Sequence, residues 1–167
     1  MSSNLSNPLH IQDPVEALKN TFRNHASGVA VITMLDESGK PIGFTATSMT
    51  SLGANPPLAS FNVSSGSSSW PALCKATWVA IHTLGEANQA LAEKMAADHT
   101  KRFLDDDWDF GTKGLPIFKG VTSVLIAGIR EIHAVENNAV VIVDVIDGLV
   151  GVEQRPLIYF QRGYRIA

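Results

Sequence analysis

A chain of 167 residues is long enough for one domain with one buried core, and 45% hydrophobic against 17% charged residues excludes intrinsic disorder. A net charge of -3 without any basic run removes the electrostatic footprint of nucleic-acid binding. The single cysteine, Cys74, excludes an internal disulfide and fits a reducing cytoplasm, and no apolar run approaches the ~20 residues that span a bilayer.

The opening MSSNLSNPLHIQDP lacks the basic region and apolar core of a secretory leader. Residues 1–12 read as a loose polar arm, leaving residues 13–167 as a single domain. Asp13-Pro14-Val15-Glu16 predicts a helix start, with Asp13 as cap, Pro14 in the first turn and Glu16 placed for a capping box. Val15, Leu18 and Phe22 share one face, and Ser27-Gly28 stops the helix. VAVITML (Val29–Leu35) is a strand, DESGKP turns it, and Gly43–Leu52 returns as its hairpin partner. The prolines of GANPPL are expected to forbid further pairing, with ASFNV the next short strand. SSGSSSWPALCKA reads as a small-residue loop entering a helix capped by Ser69, and WVAIHTL as a strand. EANQALAEKMAA predicts a helix with Ala87, Leu91 and Met95 at four-residue spacing. Residues 98–120 form a polar excursion, followed by three long β-rich runs. Six or seven strands in hairpin order, with few helices, predict a mainly β, antiparallel barrel with peripheral helices.

Common chemistries find no support. His10, His25, His82, His99 and His133 pair with no His or Cys at metal-ligand spacing. Cys74 follows Leu73 on a predicted helix and reads as a small buried hydrophobe rather than a nucleophile. No G-x-S-x-G elbow, G-x-G-x-x-G or P-loop occurs. DDDWD (Asp105–Asp109) reads as a solvated acidic loop. Trp70, Trp78 and Trp108 are expected to bury apolar area, and packing is the default for Tyr159 and Tyr164 on the last hairpin.

What stands out is a surplus of hydroxyls. Thr45, Thr47, Ser48, Thr50 and Ser51 crowd one strand-like stretch, and Ser64–Ser69 follows about 15 residues later. The second segment has two readings: an anion site built from hydroxyls and N–H groups at a helix start, or a polar turn with a helix cap.

The stretch FRNHASGVAVITMLDESGKPIGFTATSMTSLGANPPLASFNVSSGSSSWPAL resembles the N-terminal half of the short-chain flavin reductases, the reductase components of two-component flavin monooxygenases. KRF, DDDW, GLPIFKG and the terminal PLIYFQRGYRI extend the resemblance to nearly the whole chain from about residue 15. The resemblance implies an FMN-binding split β-barrel and a homodimer that carries hydride from NADH or NADPH to FMN, or to FAD as the alternative, for a separate monooxygenase. Carried over by position, it implies flavin contacts at Phe44, Thr45, Ala46, Thr47, Ser48 and Ser51, with Asn62 between the two segments. Loop contacts would be Ser65, Ser67 and Ser68, and Arg102 and Phe103 match a pair that approaches the flavin from the excursion. These reductases commonly carry a Gly-Asp-His turn whose His approaches the nicotinamide. Glu136-Asn137-Asn138 stands in its place here, leaving Asn138 as the candidate nicotinamide contact. That departure keeps a second reading open, an FMN-binding carrier or redox sensor with little NAD(P)H turnover.

Overall fold

The computed structural model describes residues 10–167. Most of the expected N-terminal arm lies outside the described residues; its last three residues, 10–12, are exposed and without regular structure.

Helix α1 (Pro14–Arg23) begins as the sequence predicts. The Asp13 carboxylate accepts the Val15 N–H at 3.0 Å, and Pro14 occupies a position that needs no donor. Glu16 closes no capping box and pairs instead with Lys19 at 3.0 Å. The shared face of Val15, Leu18 and Phe22 exists but buries nothing: the three are 55%, 60% and 61% exposed. Ser27–Gly28, expected only to end the helix, forms the short strand β1.

Strands β2 (Ala30–Leu35) and β3 (Pro41–Ala46) make the first hairpin. The Asp36 carboxylate braces its turn, accepting from the Ser38 hydroxyl and from the N–H groups of Ser38 and Lys40. The predicted return strand Gly43–Leu52 is in fact broken. β3 stops at Ala46, and after Thr47-Ser48-Met49 the chain starts β4 (Thr50–Ala54), which pairs with β5 (Pro57–Ser64). The prolines therefore do not forbid pairing. Pro56 sits in the turn and Pro57 at the first strand position, where no ladder donor is lost.

The expected helix after the Ser-rich loop is a single turn, α2 (Trp70–Leu73), and the Ser69 hydroxyl does not cap it. Cys74 ends that turn and is exposed, not buried, because the chain leaves the core as soon as Leu73 has been inserted. Strand β6 (Trp78–Thr83) and helix α3 (Gln89–Ala96) follow. Leu91 and Met95 are buried on α3, whereas Ala87 lies in the 3-10 turn before it and is exposed. The excursion contains a small hairpin, β7 (Trp108–Phe110) with β8 (Pro116–Phe118). The three C-terminal runs become the long strands β9 (Ser123–Val135) and β10 (Asn138–Val150) and a hairpin of β11 (Leu157–Phe160) with β12 (Gly163–Ile166).

Seven strands form one antiparallel sheet in the order β3-β2-β6-β9-β10-β5-β4. The sheet curls until β3 meets β5 without a ladder, which makes a split barrel. Its seam is closed inside by Phe44 against Phe61, ring centroids 6.1 Å apart, and at the rim by Ser48, whose hydroxyl accepts the Asn62 N–H at 2.8 Å.

Two apolar clusters flank the sheet. Ile32, Met34, Phe44, Phe61 and Ile81 fill the barrel, while Val31, Met95, Leu115, Phe118 and Leu157 pack outside it. Strand β2 feeds both in alternation, so it is buried on both faces and reads as a continuous apolar run. His82 lies wholly buried on the outer side, donating from Nδ1 to the Val31 carbonyl at 3.0 Å and accepting the Phe118 N–H on Nε2 at 3.1 Å. Burial lowers its pKa to about 4 against the opposing Val31 bond, so the ring is neutral. The tryptophans are half-buried against these clusters.

The acidic DDDWD loop is solvated but also paired. Lys94 of α3 reaches Asp105 at 3.0 Å and Asp107 at 2.6 Å, and Lys119 reaches Asp109 at 3.0 Å. Burial opposes the charge on Lys94, but the two carboxylates outweigh it and hold its pKa above the ordinary value. Among the described residues, no helix is long and apolar enough to cross a membrane.

Candidate functional site

The site grows from the place where β3 ends. Phe44 and Ala46 point into the barrel. Thr45 faces the other way, its hydroxyl donating to the Ala92 carbonyl of α3 at 2.6 Å. This close docking needs Gly43: a Cβ there would lie 2.7 Å from the Met95 methyl, 2.8 Å from the Ile32 carbonyl and 3.1 Å from the Phe103 ring. Thr47 and Ser48 then leave the ladder with their side chains free of the core.

A cavity of about 270 Å³ opens where Phe44, Thr45, Asn62, Ser64 and Ser67 meet Arg102. Arg102 is 9% exposed and has no carboxylate partner among the described residues. Its Nη1 donates to the Gly43 carbonyl and its Nη2 to the Ala97 carbonyl, each at 2.7 Å, and its Nε is buried with no partner. Burial pushes its pKa below the usual guanidinium value, against the more distant Asp98 charge. Arginine nevertheless stays protonated. A buried cation with an orphaned N–H, next to serine hydroxyls, fits an anion such as a phosphate.

Asn62 also borders a second, larger cavity of about 650 Å³, with Phe22, His25, Thr47, Ser48 and Tyr159 around it. Aromatic walls with hydroxyls at one rim suit a flat heteroaromatic ring that has an apolar face and a polar edge. The two cavities therefore offer, side by side, a place for a phosphate and a place for a ring.

The structure brings together Phe44, Thr45, Asn62, Ser67 and Arg102 at the first cavity, and Thr47 and Ser48 with Asn62 at the second. Ser68 and Phe103 face a cleft of about 30 Å³ on another side of Arg102. Phe103 stacks on Phe118 at 5.6 Å and meets Trp108 edge-on at 5.4 Å, which anchors the excursion to the barrel.

Besides Ser68 and Phe103, four expected residues line neither cavity. The Ala46 methyl is buried in the barrel core, leaving only its backbone to reach outward. Ser51 is carried away by the break after Ala46 and lies exposed on β4 opposite Ala59. Ser65 turns its hydroxyl to the Asn137 carbonyl at 3.1 Å. Asn138 opens β10 exposed, opposite Ser64.

Conversely, sequence reasoning missed Met95 at the first cavity and Phe22 and His25 at the second, named Ser64 only as part of the hydroxyl-rich segment, and took packing as the default for Tyr159. Phe22 was readable only as a helix face awaiting a core. Nothing local says that this face borders a cavity.

The profile of the "Flavin reductase like domain" family matches residues 22–167. A flavin reductase domain protein from Arthrobacter sp. FB24 superposes with a TM-score of 0.88 at 44% identity, over 92% of this chain and 95% of that one. An NADH:FMN oxidoreductase of Rhodococcus qingshengii is 40% identical over 122 residues, which is 72% of this chain and 63% of that protein's length. The reductase subunit of a flavin-dependent monooxygenase from Rhodococcus jostii (strain RHA1) is 27% identical over 138 residues, covering 83% of this chain and 70% of that one. With 146 of its 167 residues matched (22 to 167 inclusive), on a split barrel that superposes on a flavin reductase domain, the chain belongs to the flavin reductase like domain family.

Proposed function

We propose that this chain is an NAD(P)H-dependent flavin reductase that takes FMN. One observation carries the reading: the uncompensated, buried Arg102 with its orphaned Nε lies beside Ser67, and Asn62 joins that anion site to a ring-sized cavity. Arg102 and Ser67 would hold the phosphate of FMN, and Thr47 and Ser48 would meet the polar edge of its ring. When bound, the flavin supplies the electron-accepting ring that exchanges a hydride with the nicotinamide. The protein contributes binding and alignment: Ser48 pins the rim to Asn62, Thr45 pins the strand to α3, and Phe22 and Tyr159 limit water at the ring. The hydride transfer requires no side-chain acid or base.

Residues 13–167 act as one unit in this reading, in the cytoplasm and as a homodimer. Exposed apolar side chains support self-association: Val15 and Leu18 on α1, and Ile146, Leu149 and the 98%-exposed Val150 at the end of β10. The relative from Rhodococcus jostii supports a monooxygenase as the consumer of reduced flavin. The test is anaerobic mixing of NADH, then NADPH, with protein and FMN, following the visible flavin band against a protein-free control. Rapid bleaching is expected. Asn138 lines neither cavity, and this favours a second reading, a flavin carrier; a perturbed flavin spectrum without bleaching by either donor would select it.

A further inference from the structure

We infer that Lys19, Arg23 and Arg162 form the seat for the phosphates of the nicotinamide dinucleotide. The inference rests on the reductase reading and extends it to the second nucleotide.

A third cavity, of about 200 Å³, lies where the end of α1 meets the last hairpin, and Lys19, Arg23 and Arg162 line it together with Phe22, Tyr159 and Phe160. It shares Phe22 and Tyr159 with the ring-sized cavity, which in turn shares Asn62 with the Arg102 site. The three cavities are thus linked through shared wall residues: a cationic end, an aromatic middle and a second cationic end. No aspartate or glutamate lines any of them, although the chain as a whole carries a net charge of -3. Lys19 holds Glu16 at 3.0 Å, while Arg23 and Arg162 have no acidic partner among the described residues. FMN has one phosphate, and the Arg102 end already fits it. A second cationic end joined to the first through an aromatic cavity fits a second phosphorylated aromatic compound. In this reaction that compound is the dinucleotide.

The construction of the hairpin points the same way. Gln161 and Arg162 form the turn between β11 and β12 with φ of 49° and 60°. Both lie in the left-handed region where Gly or Asn is the comfortable residue, so arginine stands there at a conformational cost. The Gln161 N–H donates to the Arg23 carbonyl at 3.0 Å, which docks the turn on the end of α1 and places both arginines on one cavity.

The variants are Arg23→Gln, Arg162→Asn and the pair. In FMN reduction assays the KM for NADH is expected to rise at least tenfold in the pair, and the Kd for FMN to stay within twofold. Arg162→Asn relieves the turn, so its Tm is expected to hold or rise while dinucleotide affinity falls; a purely structural role would lower both. Comparison with NADPH separates the phosphates. An equal rise for both donors places the diphosphate at this end, and a larger rise for NADPH places the 2′-phosphate there. Isothermal titration with ADP-ribose and with 2′,5′-ADP repeats the comparison without turnover. An unchanged KM for both donors, together with unchanged titrations, overturns the inference. A wild-type protein that fails to reduce FMN but binds ADP-ribose through Arg23 and Arg162 would overturn the reductase reading and keep this seat.

Discussion

The hydroxyls of Thr45–Ser51 and those of Ser64–Ser69 are similar in number but not in their partners. On the seam side, Thr45 is tied to the Ala92 carbonyl and Ser48 to the Asn62 backbone, both across long sequence separations. On the loop side the engagement is uneven: two hydroxyls share one acceptor, Ser69 donates to the Gly43 carbonyl at 3.4 Å, and one hydroxyl keeps an unpaired proton. Ser64 and Ser65 converge on the Asn137 carbonyl, and Ser67 accepts the Ser69 N–H at 3.3 Å while its own proton has no partner among the described residues. The difference teaches how one residue type serves two tasks. Hydroxyls engaged with the Ala92 and Asn62 backbone fix the shape of the ring cavity. Hydroxyls left with a free proton beside an unpaired cation remain available to an anion.

The sharpest way to break this comparison is at Arg102. Arg102→Ala removes the unpaired cation, and FMN affinity is expected to fall about a hundredfold, since charge-assisted hydrogen bonds contribute about 1.5–3 kcal/mol each. Fluorescence titration with riboflavin, which has no phosphate, should show little change. Equal losses for both ligands would mean that Arg102 acts only by holding the Gly43 and Ala97 carbonyls.

The next largest effect comes from outside both segments and calibrates the scaffold that holds them. His82 has its pKa depressed to about 4 by burial, below the ordinary 6.5 of an exposed ring. The unfolded chain therefore binds the extra proton first as pH falls. The stability linked to neutral His82 is complete above pH ~6.5 and is lost as pH drops toward ~4; about 2 kcal/mol should disappear between pH 7.5 and 5. Urea unfolding at the two pH values checks this, and His82→Gln should flatten the slope in that window.

Ser48→Ala comes third. It removes the Asn62 N–H partner at the seam, a cost of about 0.5–1.5 kcal/mol in urea unfolding, with weaker FMN binding as the cavity rim loosens. Ser51→Ala is the control and the smallest effect. Ser51 is exposed on β4, so stability should stay within about 0.5 kcal/mol, and FMN affinity should not move. If Ser51 proved as costly as Ser48, the break after Ala46 would be misplaced.

Much of this molecule was legible one segment at a time. The Asp13 cap, the β2–β3 hairpin, helix α3 and the three C-terminal β-rich runs follow from capping chemistry, turn residues and hydrophobic period. The misreadings came where a local rule met a nonlocal constraint. The run from Gly43 to Leu52 looks like one strand, but the curl of the sheet sends its two halves to opposite edges, β3 and β4. The prolines of GANPPL look like a stop, but a turn position and a first strand position need no donor. Cys74 looks like core, but its helix lasts only one turn.

What the sequence determined by itself is the inventory: which stretches are β-rich, where most turns fall, and that two hydroxyl-rich segments exist. Those properties depend on neighbours within a few residues. The tertiary structure decided which hydroxyls are free. It brought Arg102 to the Gly43 carbonyl across 59 positions, laid Ser48 on Asn62, and set Phe22 and Tyr159 on one cavity wall. A polar group's role depends on whether burial has already given it a partner, and partners from distant strands appear only when the sheet has closed.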